Sequence, residues 1–503
     1  MKSRLGIMPA LHESSCRKQC VSQTTTGETM SGLNMMARSV FGALAMLMVV
    51  SAQAAGKPKS LPESIDNYLS ARFDPRSPGA AVVVVKDGKV IFRKGYGMAD
   101  LELKVPVRPE MVFRLASVTK QFTAVAVLML AEEGKLALGD EIQRFIPDYP
   151  RGAAPVTIER MLNHTSGIPG FSEEYLSKRD MRAEITPAQM LEIIRQQPPE
   201  FVAGTKWAYS DGAYELLGMI IEKASGMSYA DFVEQRMFKP LGMAHSYYDR
   251  SERVIEGRVK GYARTRKGYQ NAAFISMSLP YAAGSLASSV DDLALWDAAI
   301  ADSDKLINAE TRRRMQTSYT LADGAAARIP YGLGVSLAPR RGEPRVGHNG
   351  QINGFMTAVL RMPKERVYVA VLGNVENMLV IPELLAERVG AIAAGKPYLE
   401  EAAVVVPDAV LERYVGAYRI NPKNVRNVSR DGKRLFMQRN GGPLIELHAK
   451  SHTEFFVKDA FNEVSFGTDA AGMVSTLTMS QVYGPPNVAM KEVRLEPAAA
   501  SAN

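Results

Sequence analysis

The stretch FRLASVTKQF, residues 113–122, decides how the chain is interpreted, because it places a serine three positions before a lysine. Side chains at i and i+3 are neighbours on a helix, so the amine of Lys120 can reach the hydroxyl of Ser117. The same spacing recurs at Ser15 and Lys18, in a polar segment without periodicity. The four residues alone are therefore weak evidence, and their surroundings must separate a catalytic pair from an ordinary serine and lysine.

The residues after Ser117 favour a junction between a loop and a helix. Apolar residues follow at helical spacing, and Gly134 ends the pattern. Unpaired N–H groups and the positive end of the helix dipole at such a junction stabilise a developing alkoxide. A free lysine has a pKa of about 10.4, so Lys120 can accept the serine proton only if its surroundings lower that pKa.

The composition is that of an ordinary globular protein and excludes several function classes. The 503 residues are 46% hydrophobic and 23% charged, with a net charge of +8. The positive charge is spread without basic runs, which argues against nucleic acid as a partner. The six histidines show no metal-ligand spacing, and the only cysteines are Cys16 and Cys20. We therefore expect no metal and no disulfide framework. Glycine-rich stretches such as GYGMAD lack nucleotide-binding spacing, so we expect no cofactor.

The N-terminal region has the pattern of an export signal. Arg38 precedes the apolar run VFGALAMLMVV, and AQA at 52–54 supplies small residues for cleavage. Eleven apolar residues are too few to span a bilayer, which needs about 20. We predict a signal peptide over 35–54, cleavage near Ala54, a periplasmic or secreted protein and no membrane span after cleavage, with an uncleaved anchor as the alternative. Residues 1–34 are either unstructured or the product of a mis-assigned start, in which case translation begins downstream, near Met35 or Met36.

Residues 60–398 are expected to form one α+β domain. Two β-rich runs over 80–97 are joined by Asp87-Gly88, a strong hairpin signal. Helical patterns then dominate, at 187–196, 212–225, 228–238 and, after SVDD, from 289 onward. Strand-like runs return at 331–337, 355–361 and 366–372, followed by a helix near 382–394. This order predicts an antiparallel sheet interrupted by a mostly helical insertion.

Residues 405–497 are expected to form a second, all-β domain. Short β-rich runs follow one another closely, including YVGAYRI, RLFMQRN and LIELHAK, and Asp431-Gly432 supplies a turn. The spacing is typical of a small antiparallel barrel or sandwich.

Three separated motifs resemble those of the serine β-lactamase-related hydrolases. They are Ser117-Val118-Thr119-Lys120, Tyr209-Ser210-Asp211 and His348-Asn349-Gly350. The flanking stretches MLNHTSGIPGF, YSDGAYELLG, PLGM, AAGSLASSVDDLA and GHNGQINGF also resemble family sequences in the expected order. The family includes class C β-lactamases, DD-carboxypeptidases, D-aminopeptidases and esterases. The resemblance covers about residues 65–395, implies the β-lactamase/transpeptidase-like fold, and extends to a lipocalin-like accessory barrel for the tail.

The resemblance implies roles for the matching residues. Ser117 would be the acylated nucleophile, Lys120 its general base, and Tyr209 a proton shuttle with a pKa lowered by the neighbouring lysine. The backbone N–H groups of Ser117 and Gln351 would form the oxyanion hole. His348 stands where many β-lactamases carry lysine and is similar to the histidine of peptidase members.

The remaining motif positions are assigned to substrate binding or to structure. Gly350 belongs with the substrate-binding strand. A half-buried structural tyrosine remains the alternative for Tyr209, and a capped surface histidine the alternative for His348. His164 and His245 are possible partners for a serine, but the LNHTSG turn that contains His164 is structural in the family.

Two departures from the family pattern argue against an efficient β-lactamase. Members commonly carry asparagine where this chain has Asp211, and an ionised aspartate accepts hydrogen bonds but cannot donate. Its charge would hold Lys120 as ammonium, repel an anionic substrate and attract an amine. His348-Asn349 replaces the lysine-threonine pair that helps to bind a β-lactam carboxylate.

The sequence therefore predicts an exported serine hydrolase that acts on small peptides, amides or esters, with D-configured or cell-wall-like character. A carboxylesterase or weak β-lactamase is a second interpretation. A catalytically silent penicillin-recognising or scaffold protein is a third, and Asp211 favours it. The oligomeric state and the role of the tail do not follow from the sequence.

Overall fold

The computed structural model describes most of the chain from Ser60 onward. The described residues are 60–170, 180–265, 267–378, 380–398, 402–442, 444–480 and 487–492. The predicted signal peptide and residues 1–34 lie outside them. No helix in the described ranges combines the length and the apolar character needed to cross a bilayer.

The first domain alternates strands and helices. Its α-helices are α1 (Leu61–Ser70), α2 (Thr119–Glu132), α3 (Ile158–Leu162), α4 (Pro187–Arg195), α5 (Asp211–Ser225), α6 (Tyr229–Val233), α7 (Lys239–Leu241), α8 (Tyr281–Gly284), α9 (Val290–Asp302), α10 (Ala309–Met315) and α11 (Pro382–Ala393). A π-helical segment, Glu234–Phe238, joins α6 to α7, and short 3₁₀ helices span Ala116–Val118 and Ile142–Arg144. Its strands are β1 (Ala80–Lys86), β2 (Lys89–Tyr96), β3 (Met98–Asp100), β4 (Val105–Pro106), β5 (Phe113–Arg114), β6 (Tyr247–Tyr248), β7 (Tyr262–Thr265), β8 (Gly268–Asn271), β9 (Leu286–Ser288), β10 (Val346–Ile352), β11 (Phe355–Met362), β12 (Val367–Gly373) and β13 (Val375–Glu376).

The central sheet contains five antiparallel strands in the order β10-β11-β12-β1-β2. Asp87 and Gly88 form the predicted β1–β2 turn with φ angles of 50° and 75°, as a type I′ turn requires. Strands β1 and β2 thus share one sheet with β10, β11 and β12, and the helical insertion lies between these two groups in sequence. The predicted α+β fold class is confirmed.

Strand β1 is buried on both faces, which explains its unbroken run of valines. Val82 and Val84 pack in a core with α1 and α11, whereas Val83 and Val85 point into the larger core under the insertion. Since side chains alternate along a strand, only a strand covered on both sides is apolar throughout. The sheet is therefore a rigid wall for the loops and helices of the insertion.

The predicted strand at 331–337 is wrong. Within this segment only Tyr331 and Ser336 form bridges: they pair with each other across a tight turn, and Ser336 also forms an isolated bridge with Gly347 of β10. Gly334, at the turn, has a φ of 77°, outside the extended region. The segment folds back on itself, and this buries its apolar residues. An apolar run in the sequence therefore did not by itself identify a strand.

The second domain is a closed barrel of eight strands. A short helix α12 (Asp408–Tyr414) precedes it, and the strands follow in sequence order: β14 (Gly416–Asn421), β15 (Asn424–Asp431), β16 (Arg434–Arg439), β17 (Ile445–Ala449), β18 (Glu454–Phe456), β19 (Glu463–Thr468), β20 (Val474–Met479) and β21 (Asn487–Lys491). Pairing of β14 with β21 closes the barrel, so neither edge stays open. The prediction of a small all-β domain is confirmed.

Candidate active site

Ser117 lies in the 3₁₀ turn Ala116–Val118, which leads directly into α2. Ala116, immediately before it, has a φ of 49° and is buried. A non-glycine residue in this left-handed region costs roughly 1–3 kcal/mol, and such strain is concentrated at functional sites. The turn places Ser117 on the wall of a cavity at the N-terminal end of α2.

Lys120 is fully buried, and its ammonium group contacts three oxygens. Its Nζ lies 3.2 Å from Ser117 Oγ, 2.6 Å from Asp211 Oδ1 and 3.0 Å from the carbonyl oxygen of Ala283. An ammonium has three hydrogens, so each can be donated to one of these acceptors. The structure thus brings Ser117, Lys120 and Asp211 together, and Ala283 is a contact that the sequence interpretation missed.

The pKa of Lys120 is raised above its ordinary value. Burial alone would lower it, but the negative charge of Asp211 and its hydrogen bond to Lys120 outweigh burial. The lysine is therefore an ammonium at neutral pH in this arrangement. This is the effect expected from aspartate in place of asparagine.

Tyr209 lies beside this pair, with its ring centroid 4.8 Å from Lys120 Nζ. The pKa of the phenol is raised, because desolvation and the Asp211 carboxylate outweigh the lowering effect of Lys120. The expectation of a lowered pKa is therefore wrong for this arrangement. Tyr209 is a neutral phenol at neutral pH and can donate a proton.

His164 is a structural residue beneath Tyr209. It is fully buried, its ring centroid lies 4.4 Å from that of Tyr209, and its Nδ1 accepts from the backbone N–H of Ser210 at 3.1 Å. Burial and the nearby Lys120 lower its pKa well below the usual range, so it stays neutral. His164 therefore holds the segment that presents Tyr209 and Asp211.

His245 is remote from the serine. It is half-exposed, its backbone N–H donates to Asp292 Oδ2 at 2.7 Å, and Asp292 lies in the first turn of α9. It is not among the residues that line the Ser117 cavity. The alternative of a histidine base for Ser117 has no support in this geometry.

Strand β10 passes close behind the nucleophile, and Gly350 makes this possible. A Cβ atom at Gly350 would lie 2.3 Å from the carbonyl oxygen of Leu115, a backbone atom that cannot move freely. The same carbonyl accepts from Thr357 Oγ1 at 2.8 Å. Gly350 therefore acts through close packing, while Gln351, the next residue, lines the cavity beside Ser117.

His348 is buried and has both ring nitrogens in use. Its Nδ1–H donates to the carbonyl oxygen of Asn349 at 2.6 Å, so Nε2 accepts from the Tyr331 hydroxyl at 2.9 Å. Burial and Lys120 lower the pKa of His348 to about 4. The structure thus shows His348 as a buried, neutral residue and not a surface histidine, with its ring centroid 6.1 Å from that of Tyr209. Its predicted role in substrate binding stays a prediction.

The cavity at Ser117 has a volume of about 220 Å³. Its polar lining comes from Ser117, Asp211, Gln351 and Asn353, and its apolar wall includes Leu279 and Pro280 of the segment before α8. A space of this size accepts a small side chain and the group that carries it. The mixture of apolar wall and few polar groups is typical of a small-molecule site.

Glu215 borders the same cavity and was missed by the sequence interpretation. It lies one helical turn after Asp211 on α5, is fully buried, and neither carboxyl oxygen has a hydrogen-bond partner within the described residues. Burial and the charge of Asp211 raise its pKa well above the usual range, against a smaller opposing effect of Lys120. It is therefore a neutral acid. The i, i+4 spacing of two acidic residues after the tyrosine was the available signal.

Within the described residues, no group of three or more histidine, cysteine, aspartate or glutamate side chains has the arrangement of a metal centre.

Two family models match the chain. The model described as Beta-lactamase matches residues 65–394, and the Domain of unknown function (DUF3471) matches residues 400–497. The first match includes the described residues of the Ser117 cavity, and the second includes the barrel.

The chain is also similar to proteins of known name or structure. Penicillin-binding protein 4* of Bacillus subtilis is 28% identical over 419 residues, which is 78% of this chain and 90% of that protein. An octameric penicillin-binding protein homologue from Pyrococcus abyssi is 25% identical with a TM-score of 0.62, covering 85% of this chain and 99% of that one. A D-stereospecific amidohydrolase from Streptomyces sp. is 25% identical with a TM-score of 0.53, covering 63% of this chain and 95% of that one.

Proposed function

Because this chain belongs to the Beta-lactamase family, as the match over residues 65–394 shows, we propose that it is an exported serine hydrolase that forms an acyl-enzyme on Ser117. Its substrates are small peptides, amides or esters. The observation that carries this proposal is the 3.2 Å contact between Ser117 Oγ and Lys120 Nζ at the edge of the cavity. A nucleophile within hydrogen-bond reach of its base is the geometric requirement for acyl transfer.

The reaction divides into proton transfers among three side chains. Neutral Lys120 takes the proton of Ser117 as Oγ attacks the substrate carbonyl carbon. The oxyanion that forms accepts from the backbone N–H groups of Ser117 and Gln351. Tyr209 gives its proton to the leaving group and regains one from the Lys120 ammonium. Attack by water on the acyl-enzyme then releases the acid and restores Ser117.

The site favours a substrate that carries an amine near the scissile bond. Asp211 brings a half-exposed carboxylate to the cavity, and Glu215 adds a buried carboxyl one helical turn away. An ammonium group in this position could donate to the Glu215 carboxyl oxygens, which have no partner among the described residues. It would also compete with Lys120 for Asp211.

Such a substrate would activate its own base. In the free enzyme the Asp211 carboxylate stabilises the ammonium form of Lys120. A second cation beside Lys120 disfavours that form, and loss of the carboxylate contact removes its stabilisation. An amine-bearing amide would therefore increase the neutral fraction of Lys120 on binding. The similarity to a D-stereospecific amidohydrolase supports a D-amino-acid amide as the first substrate to test.

One observation favours a second candidate, the catalytically silent fold. The Lys120–Asp211 ion pair at 2.6 Å keeps the base protonated unless something displaces it. A silent protein would retain this pair in the presence of every substrate. The two candidates differ in whether any amide, ester or β-lactam is turned over.

A substrate panel tests the proposal. It consists of a D-amino-acid amide, its N-acetyl derivative, a D-Ala-D-Ala peptide, a p-nitrophenyl ester and nitrocefin, each assayed with the parent and with Ser117→Ala. We expect the free-amine amide to have the highest kcat/KM and Ser117→Ala to be inactive on it. Preferred turnover of the ester or of nitrocefin would instead indicate a carboxylesterase or weak β-lactamase. Activity that survives Ser117→Ala, or no turnover of any substrate, would overturn the proposal.

A further inference from the structure

A second cavity lies between the hydrolase domain and the barrel. Its volume is about 480 Å³, and it shares no lining residue with the Ser117 cavity. The hydrolase domain lines it with four arginines and two tyrosines, and the barrel contributes the segment after β18. Both domains are needed to form it.

The lining of this interdomain cleft is strongly cationic. It contains five arginine or lysine side chains and two carboxylates, for a net charge of +3 with histidine neutral. The carboxylates are already engaged: Asp459 pairs with Arg72 at 2.8 Å, and Glu463 pairs with Lys450 at 2.9 Å. Both carboxylates are therefore already paired with a cation other than Arg341 and Arg388.

Two arginines are held by an aromatic ring instead of a carboxylate. The guanidinium carbons of Arg341 and Arg388 lie 4.0 and 5.2 Å from the ring centroid of Tyr398. Within the described residues neither arginine forms an ion pair, and the buried Nε of Arg388 has no acceptor. Stacking positions a guanidinium while it leaves the N–H edge available.

The ring between these arginines is itself fixed. The Tyr398 hydroxyl donates to Glu387, and Glu387 also accepts from Arg345 through Nε and Nη2. Glu387 and Arg345 are both buried. The Glu387 carboxylate is thus engaged by Arg345 and Tyr398, and Tyr398 is anchored before any ligand arrives.

We propose that this cleft binds a ligand through an oxyanion, a carboxylate or a phosphate, with Arg341 and Arg388 as the principal donors. Guanidinium groups match the geometry of both anions through paired N–H donors. An anion there would accept from the guanidinium groups of Arg341 and Arg388, which form no ion pair within the described residues. The two domains would both contact the ligand.

Isothermal titration calorimetry of the full chain at low ionic strength tests this site. The probes are citrate, as a carboxylate source, and inorganic pyrophosphate, as a phosphate source. We expect at least one probe to bind the parent and Ser117→Ala equally. Arg341→Ala and Arg388→Ala should each weaken binding by about tenfold or more, as loss of a charge-assisted hydrogen bond does. Hydrolysis without the probe should be unchanged in both variants.

The controls separate a built site from general charge attraction. Arg151→Ala removes one cation from the surface of the hydrolase domain, where Arg151 is 74% exposed, and should leave binding unchanged. Arg341→Lys keeps the charge but loses the planar stacked donor, so its binding should fall between the parent and Arg341→Ala. Binding of only one probe identifies the anion class. No binding of either probe, or equal weakening by Arg151→Ala, would overturn the proposal.

Discussion

Asp211→Asn is expected to shift the pH dependence of the reaction, because it removes the carboxylate that lies 2.6 Å from Lys120 Nζ. Unit charges at this distance attract by about 6 kcal/mol at an effective dielectric constant near 20. The Asp211 side chain is 42% exposed, so solvent screening reduces this to about 2–3 kcal/mol. At about 1.4 kcal/mol per pKa unit, the pKa of Lys120 should fall by about two units.

The sign of the effect on activity depends on the substrate. Neutral Lys120 is the active base, so its lower pKa moves the acid limb of the kcat/KM profile to lower pH by about two units. An uncharged N-acetyl amide should therefore react up to about 100-fold faster near neutral pH. The free-amine amide loses its counter-charge at Asp211 and should react about tenfold more slowly.

The assay is a pH–rate series on the parent and Asp211→Asn with this matched pair of amides. Glu141→Gln is the control, because it removes one negative charge from the surface, where Glu141 pairs with Arg151. Glu141→Gln should leave the pH–rate profiles of both amides unchanged. If Asp211→Asn showed the same acid limbs and the same substrate ranking as the parent, the charge of Asp211 would control neither the pKa of Lys120 nor the choice of substrate.

Three further predictions concern the base and two buried titratable groups. Lys120→Ala should lower kcat by about 10² to 10⁴-fold and slow fluorophosphonate labelling of Ser117 in parallel; labelling at the parental rate would show that Lys120 is not the base. In the unfolded chain the Glu215 carboxyl ionises near pH 4.5, whereas burial raises the pKa of the folded carboxyl well above that value. The unfolding free energy therefore falls as pH rises above 4.5. Glu215→Gln should therefore gain unfolding free energy relative to the parent between pH 5 and 8 in urea titrations, and a pH-independent difference would contradict this. His348 has a folded pKa of about 4 against 6.5, so its contribution to stability is present above pH 6.5 and is lost as pH falls through 4. His348→Gln should reduce the loss of unfolding free energy between pH 7 and 5 by about 2 kcal/mol, and an unchanged loss would contradict this.

Much of the site could be predicted from short sequence motifs. Ser117 and Lys120 are three residues apart at the start of a helix, so helix geometry fixes their proximity. Asp211 lies 91 positions from Lys120, and its place beside Lys120 was implied by the resemblance of the three motifs to the family, not by local spacing. Only the Ser117–Lys120 contact follows from the conformation of one short segment.

The features of the site that the sequence did not predict depend on packing between distant segments of the chain. Ala283 accepts from Lys120 through its backbone, which leaves no signal in side-chain chemistry, and the two residues are 163 positions apart. The raised pKa of Tyr209 depends on desolvation by surrounding segments. Glu215 reads as an ordinary helical glutamate, and only the tertiary structure shows that its carboxyl is buried without a partner.

Intact-mass spectrometry of the enzyme after brief exposure to a D-amino-acid p-nitrophenyl ester detects an acyl-enzyme on Ser117 directly. We predict a mass increase equal to the acyl group, located on Ser117 by peptide mapping, and absent from Ser117→Ala. The adduct should decay as hydrolysis proceeds. Turnover of the ester without any adduct on Ser117, or an adduct on another residue that persists in Ser117→Ala, would contradict it.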